Sequence, residues 1–550
     1  MVTGGKMNLL FEHLMHGAEA RTADFIKLQI RDPEDSRYGA IRSEIREAKP
    51  TIYAMATAIS VYFTPESRYY HSHKLEETLK LAVDFVAREQ RPNGSFDFTS
   101  CNFLSAPDTS FCFKRLIATY RLLVKYGDES SFITGMKEGY LHIMHQALNG
   151  IAEGGFHTPN HRWGITAALL QGANLFADEP DFAKRLRDRA AQYLNEGIDG
   201  DEDGEYAERS TGNYNAVVNN SMIALYEETG DDTYLGYVRR NLRMMFYYID
   251  PDDTIFTQNS TRQDQGKQMY ADKYCYQYLF MAAHDGDADF DAAACKIITD
   301  NTKRGDLAPD CWHIVMRHDE MLHHEFKHYG FPTEYRKFFK HAGVLRVRNK
   351  NYCYTLINGK SSFLYFKKGS FCVGMKVGES YCDIRNFIPQ KIENDGTKSR
   401  LEATNDGWYY LPFEKKPETT DWWKMDQSKR KKLASSQIHT VLEIEEQEEG
   451  LKLHLHTDGI DRLPLRVEFD IPKGTQLEHP AFALTADAGQ HLILRDGYVT
   501  LRYEAEEIKL GPGFAEHEFK GHYQFEEINI GGFTLYMNAY TPVDKTIMIG

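Results

Sequence analysis

Residues 344–359 read VLRVRNKNYCYTLING, apolar and polar side chains alternating on both sides of an Asn-rich turn. A period of two with a tight polar turn predicts a β-hairpin. The same alternation continues downstream in SSFLYFKKGSFCVGMKVG (361–378), HTVLEIEEQEEGLKLHLHTDG (439–459), HLILRDGYVTLRYEAEEIKLG (491–511) and FTLYMNAY (533–540). Upstream the period changes. LEETLKLAVDFVAREQ (75–90), FKRLIATYRLLVKYG (113–127), FAKRLRDRAAQYLNEG (182–197) and DTYLGYVRRNLRMMFYYI (232–249) repeat their apolar residues every three to four positions, the mark of amphipathic helices. The chain therefore divides into an all-α part, 1–340, and an antiparallel β part, 341–550. Segregated elements of this kind imply two domains.

Within the α part, Ser or Thr precedes a helical run at Ser105, Thr158, Thr211 and Thr261, roughly 50 residues apart, the period of a helical hairpin repeat. Pro107 and Pro159 sit just inside two of these starts, where a missing N–H is harmless. A Gly/Asp loop with an aromatic residue precedes each start: NGSFDF, EGGFHT, DGEYAE and DDTIFT. Repeated hairpins that close on themselves form an (α/α) toroid with equivalent helix N-termini on one rim. Chemistry is expected on that rim, because loops carry function and helix N-termini attract anions.

Composition sets outer limits. The 550 residues are 42% hydrophobic and 13% aromatic, enough for a large core, and the net charge of −15 argues against nucleic acid as a partner. No apolar run is long enough to cross a bilayer, so no membrane partner is expected. The start, MVTGGKMNLLFEHLMHG, lacks the apolar centre of a signal peptide. The expectation is a cytoplasmic protein if the sequence is complete, and a periplasmic or secreted one if a signal was removed. Eight cysteines without a CxxC pair are expected to be reduced thiols.

The rim is rich in polar chemistry. At the second start stand His157, Asn160, His161, Arg162 and Trp163. Asn160 and Arg162 suit a carboxylate beside a helix N-terminus, and His161 suits proton transfer near neutral pH. The third start holds Tyr206, Glu208, Tyr214 and Asn215; a cation such as Arg209 or Arg162 beside Tyr214 would ease its ionisation. The fourth adds Asn259, Arg262, Gln263, Asp264, Gln265, Tyr270 and Lys273, groups suited to sugar hydroxyls, and the first adds Asn102 and Asp108. Separately, His324–His328 reads HEFKH, a literal H-E-x-x-H. A metalloprotease would need it on a helix with a third ligand and a cleft; a polar connector or a structural contact to the β part is the stronger reading.

A helical toroid followed by an antiparallel β-sandwich resembles the heparinase II/III-like and alginate-lyase-like polysaccharide lyases. Two motifs carry the resemblance: Asn160-His161 opening a helix after a Gly-aromatic loop, and DGEYAERSTGNY (203–214), which looks like that family's Asp-Gly…Glu-x-Ser…Tyr loop. The resemblance implies β-elimination at a uronic acid. Asn160, helped by Arg162, would neutralise the sugar carboxylate; Tyr214 would be the acid and a candidate base; His161 would be the base or an orienter of the sugar. It implies no required cofactor, with a structural or site metal (zinc or calcium) as an option, and a β-domain histidine among His456, His479, His517 and His522 reaching the site. The acidic stretch Asp199–Glu208 favours a uronide glycan less charged than heparin. Two other classes compete. One is a toroidal glycoside hydrolase using a carboxylate pair from Glu205, Glu208, Asp108 and Asp264. The other is a glycan-binding protein that stacks sugars on Trp163, Tyr206, Trp408, Trp422 or Trp423. The oligomeric state and the metal ligands are left open by the sequence.

Overall fold

The computed structural model describes residues 8–327, 330–520 and 528–550. The chain forms two compact units: Met1–Ile249 with Asp253–Phe331, and Asp250–Asp252 with Pro332–Gly550.

The first unit is helical. Its main helices are α1 (Leu9–Leu28), α2 (Lys49–Tyr62), α3 (His73–Glu89), α4 (Ala106–Tyr126), α5 (Ser131–Glu153), α6 (Pro159–Leu175), α7 (Pro180–Leu194), α8 (Tyr214–Thr229), α9 (Thr233–Phe246), α10 (Cys275–Asp285) and α11 (Ala288–Arg304). Burial sorts them into two rings. In α7 only Ala183, Leu186, Ala190 and Tyr193 are buried, a single stripe at three- and four-residue spacing, so the helix faces water on its other side. In α2 and α10, by contrast, burial is continuous over Met55–Tyr62 and Gln277–Ala282, the pattern of a helix covered all round. The inner helices α2, α4, α6 and α8 pack side by side, and each is backed by its hairpin partner. Helix α1 packs on both α2 and α11, which joins the two ends of the array into a toroid.

The first two helix starts lie where the sequence places them. Ser105 caps α4, accepting a hydrogen bond from Asp108 N at 3.2 Å and donating to its carboxylate at 2.7 Å; Thr158 is the N-cap of α6. The third and fourth starts require correction. Helix α8 begins at Tyr214, because the Thr211 hydroxyl donates to Phe256 O at 2.7 Å instead of capping a helix. No helix begins at Thr261. A polar loop with Gly266 at φ 69° runs on to a short 3-10 turn, Ala271–Tyr274, and α10 follows. No helix among the described residues is long and apolar enough to span a membrane.

The second unit is a β-sandwich of two nine-stranded sheets. One is organised around the hairpin Lys398–Tyr410/Lys432–Glu446, the other around Phe371–Tyr381. Among the described residues, paired strands are antiparallel except His491–Ile493, which runs parallel to Phe533–Tyr540. The alternation seen in the sequence is the two-faced strand: Leu451, Leu453 and Leu455 enter the core while Lys452, His454 and His456 stay at the surface. Val347, Phe366, Val467 and Leu535 of one sheet meet Leu401, Leu442 and Ile547 of the other in one cluster. Charged groups are built into this unit, Asp250 among them. Asp250 receives Arg346 at 2.5 Å and Lys367 at 2.9 Å. Burial would raise its carboxyl, but the two cations outweigh burial and hold it below the usual carboxylate range.

Candidate active site

Three loops of the helical unit are stitched together ahead of α6, α8 and α10. Asp264 accepts from Ser210 Oγ (2.8 Å), Ser260 Oγ (2.7 Å) and Gly212 N (3.0 Å). Thr261 donates its backbone N–H (3.2 Å) and its hydroxyl (2.9 Å) to Glu208 O. Gly212 is closely packed here: a Cβ would stand 2.5 Å from Met269 Sδ and 3.0 Å from an Asp264 oxygen, so a larger residue would displace the Met269 side chain. Just upstream, Arg209 adopts a left-handed backbone (φ 50°), uncommon for a side-chain-bearing residue and concentrated at functional loops.

Glu208 connects the loops to α6. Its Oε2 accepts from Asn160 N (3.1 Å) and Asn160 Nδ2 (2.7 Å), while Oε1 lies 3.2 Å from Arg262 Nε. Burial pushes the Glu208 carboxyl up, and the two Asn160 bonds and Arg262 pull it part of the way back. Arg262 in turn places its guanidinium 5.1 Å from the centre of the Tyr214 ring. Tyr214 is the first residue of α8; its N–H is held by Ser210 Oγ at 3.0 Å and its hydroxyl donates to Gln263 Oε1 at 3.3 Å. His161, one residue after Asn160, packs edge-on against Phe111 (5.9 Å) and His157 (5.2 Å). Burial, and then the charge of His157, push its pKa down to about 4. The ring is therefore neutral at neutral pH, suited to accepting a proton and not to donating one there. His157, His161, Arg262, Gln263 and Tyr214 all keep part of their surface open, so the reactive groups on this rim are an imidazole, a guanidinium and a phenol.

Several expected contacts are corrected. Arg162 turns to Glu196 (2.8 Å) and Asp199 (3.5 Å) and lies over the Trp163 ring, so it is not the cation beside Tyr214; Arg262 is. Trp163 is fully buried with its indole N–H on Asp199 (2.5 Å), and Tyr206 is buried with its hydroxyl on Asn219 (2.9 Å); neither offers a face to a sugar. Asn215 is buried against Glu205 (2.8 Å), and Asp264 is consumed by the loop bonds above. Tyr270 lies beneath the Arg304 guanidinium at 3.7 Å. Asn160 has no exposed surface, so its amide supports the site through Glu208. Sequence reasoning missed Phe111 and Lys49. Lys49 sits 5.7 Å from the Phe111 ring and 3.3 Å from Asp108.

The carboxylates suggested for a hydrolytic pair are all engaged. Asp108 accepts from Ser105, from Asn102 (3.0 Å) and from Lys49; Glu205 accepts from Asn215, and burial pushes its carboxyl up to about 7. HEFKH does not form the helical motif either. The short helix before it ends at Leu322, and His324 pairs with Asp291 at 2.6 Å, also within the helical unit; His328 lies outside the described residues. No group of three His, Cys, Asp or Glu among the described residues is arranged to hold a metal ion. In the sandwich, His456 faces Asp458 (2.9 Å), His479 stacks on Phe482 and His517 approaches two backbone carbonyls; His522 lies outside the described residues. Trp408 packs on Tyr410 at 4.7 Å, while Trp422 and Trp423 are exposed.

No family model and no curated protein matches the chain. Solved structures do. Heparinase III aligns over 100% of this chain and 86% of its own length, with a TM-score of 0.55 at 11% identity. A Paenibacillus xanthan lyase aligns over 99% of this chain and 58% of its own length (TM-score 0.58, 9% identity). The Streptomyces coelicolor A3 chondroitin AC lyase in complex with chondroitin sulphate aligns over 100% and 80% (TM-score 0.54, 9% identity). At such identities the likeness establishes the fold, a helical toroid with a β-sandwich, as found in these polysaccharide lyases.

Proposed function

We propose that this chain, which has the fold of polysaccharide lyases, cleaves a uronic-acid-containing glycan by β-elimination. The observation that carries the reading is the rim itself: a phenol, a guanidinium and a neutral imidazole are open to solvent, while the carboxylates around them are taken up in structural bonds. Hydrolysis by a carboxylate pair needs the opposite arrangement.

In the proposed reaction Arg262 faces the sugar carboxylate and offsets the charge that builds there as the C5–H bond breaks. Neutral His161 accepts the C5 proton. The bound carboxylate favours the imidazolium and so raises the basicity that burial lowers in the free protein. The C5–H electron pair forms the C4=C5 double bond, the C4–O4 bond breaks, and the Tyr214 hydroxyl donates its proton to O4. Glu208 holds Arg262 and the start of α6 in place; the reading assigns it no proton.

The test is a panel of uronic-acid glycans followed by ultraviolet absorbance and by reducing ends in parallel. Elimination raises both together, and Tyr214→Phe abolishes both while the thermal unfolding profile is kept. Reducing ends without the absorbance of a conjugated double bond would overturn the reading in favour of hydrolysis.

A further inference from the structure

A cavity of about 450 Å³ runs along the axis of the helical toroid. Helices α2, α4, α6, α8 and α10 all contribute to it, α2 through Tyr53, α6 through Gln171 and α10 through Tyr276. Its wall follows α8 from Asn213, the residue before Tyr214, to Glu227, so the cavity begins next to the proposed site. The volume lies within the range of about 300–1,000 Å³ typical of small-molecule sites.

The charges lining it do not balance. Each acid on the wall already has partners. Glu227 is paired with Arg317 (3.1 Å) and His318 (2.9 Å), and Asp310 with Arg115 (3.4 Å) and Thr57 (2.8 Å). Asp272 is held by Arg304 (3.1 Å) and Asn301 (3.0 Å). Three further cations of the wall have no carboxylate within ion-pair distance among the described residues: Lys114, Lys273 and Arg21. Lys273 donates only to the neutral Asn213 side chain. Arg21 spends one nitrogen on Ala308 O (2.6 Å) and leaves Nη1 buried without an acceptor. Lys114 has only the face of Phe111, at 5.7 Å, and that ring's edge neighbour is His161. Burial, then Arg115 and Lys49, push the Lys114 ammonium down to about 7. Lys114 and Arg21 are half-buried and Lys273 is exposed at the cavity mouth, with Asp310 and Asp264 acting on Arg21 and Lys273 only through space. Partly desolvated cations without an ion-pair partner favour a bound anion.

We propose that this axial cavity receives the acidic sugar at one end of a glycan, its carboxylate held by Lys114, Lys273 and Arg21, so that the chain is presented end-on to Tyr214. The inference deepens the lyase reading, on which the choice of a uronate and the exo mode of attack rest. Cation recognition of the carboxylate itself is independent of turnover. Tyr53, Gln171 and Tyr276 supply polar groups for the hydroxyls of the same sugar.

The test uses the full chain and three probes: glucuronate, glucose and inorganic sulfate. Glucuronate is expected to raise the unfolding temperature and to bind in calorimetry, with glucose giving neither effect. Lys114→Met is expected to weaken glucuronate binding roughly ten-fold or more, while melting no lower than the parent without ligand, since it removes a half-buried charge that has no ion-pair partner. Lys273→Met is a second, independent variant with the same expected direction. Tyr214→Phe should bind glucuronate like the parent. Unchanged glucuronate binding in both lysine variants would overturn the proposal, as would sulfate matching glucuronate, which marks a site for small anions rather than sugars. Because no probe is turned over, a lyase assay that fails alongside intact, Lys114-dependent glucuronate binding would remove the reaction and leave the cavity assignment standing.

Discussion

Glu208 holds its negative charge against its own stability, and replacing it by glutamine or alanine separates the two consequences. The residue is 5% exposed, and burial raises its carboxyl above the ordinary value. A folded pKa above the unfolded one means that the stability contribution is greatest at low pH and is lost as pH rises through the folded value. Ionised Glu208 is thus a net cost at pH 8, only partly offset by Arg262, whose side chain is 28% exposed and whose pairing is worth about 1 kcal/mol or less. Glutamine keeps one oxygen for the two Asn160 donors and removes the charge. Its stability at pH 8 is expected within about 1 kcal/mol of the parent, or above it. Alanine leaves the Asn160 backbone N–H without an acceptor and its Nδ2 with only Thr158 Oγ1 at 3.3 Å, at about 1–3 kcal/mol for the orphaned donor. Turnover behaves differently. Both variants release Arg262 from its anchor, and loss of one preorganised donor costs about 10²–10³ in rate. Urea unfolding midpoints, with the slope checked for constancy, and initial rates of double-bond formation measure both quantities. Parent-like turnover in Glu208→Gln, or equal stability of the glutamine and alanine variants, would refute the argument.

Three further outcomes follow from the electrostatics. His161, driven down to about 4, must be neutral to accept a proton, so kcat/KM should fall on the acid side near pH 4 and lose that limb in His161→Gln; a limb near pH 6.5 in the parent would contradict the buried ring. Glu379, in the sandwich, is pushed up to about 7 by burial although Thr440 donates to it at 2.7 Å. Its contribution is present below pH 4.5 and lost as pH rises to about 7, at about 1.4 kcal/mol per unit. Glu379→Gln should therefore gain on the order of 3 kcal/mol over the parent by pH 8 and nothing at pH 4, and superimposable stability curves would sink this reading. Asp250→Asn removes the carboxylate that faces both Arg346 and Lys367 and should cost about 3–5 kcal/mol in chemical denaturation; a loss under about 1 kcal/mol would show that the two cations do not depend on it.

The toroid was legible because an outer helix such as α7 must show water one face and protein the other, and that contrast is written as a period. The strand alternation of 451–459 is legible for the same reason. Ser105 and Thr158 are N-caps where the sequence places them, although only Ser105 bonds its own helix through its side chain. Thr211 and Ser210 spend their hydroxyls on Phe256 and Asp264, bonds between distant segments that no local pattern records. The rim residues Asn160, His161 and Tyr214 were found by their repeat position. Arg162 and Trp163 were added because they are consecutive with them, yet successive helical residues point about 100° apart, so four in a row cannot share a face. That is why Arg162 and Trp163 meet Asp199 while Asn160 meets Glu208. The cation beside Tyr214 arrives from a loop 48 positions later; the repeat puts Arg262 on the same rim, but only the fold sets it over the Tyr214 ring. Lys114 did leave a trace: it stands between the buried Ser110 and Ile117 of α4, a charge on the apolar side of the pattern.

Asp250 belongs to the sandwich but is translated with the helices. Arg346 follows it by 96 residues and Lys367 by 117. At about 5–20 residues per second the ribosome takes roughly 5–20 s to deliver the first of these partners. For that interval the nascent chain carries a helical array interrupted by a short acidic tripeptide whose permanent neighbours do not yet exist. Any gene fusion, split or stop codon placed between 253 and 346 makes that interval permanent. A library of random C-terminal truncations should therefore recover few soluble fragments that end within that window, although residues 331 and 332 look like a domain border.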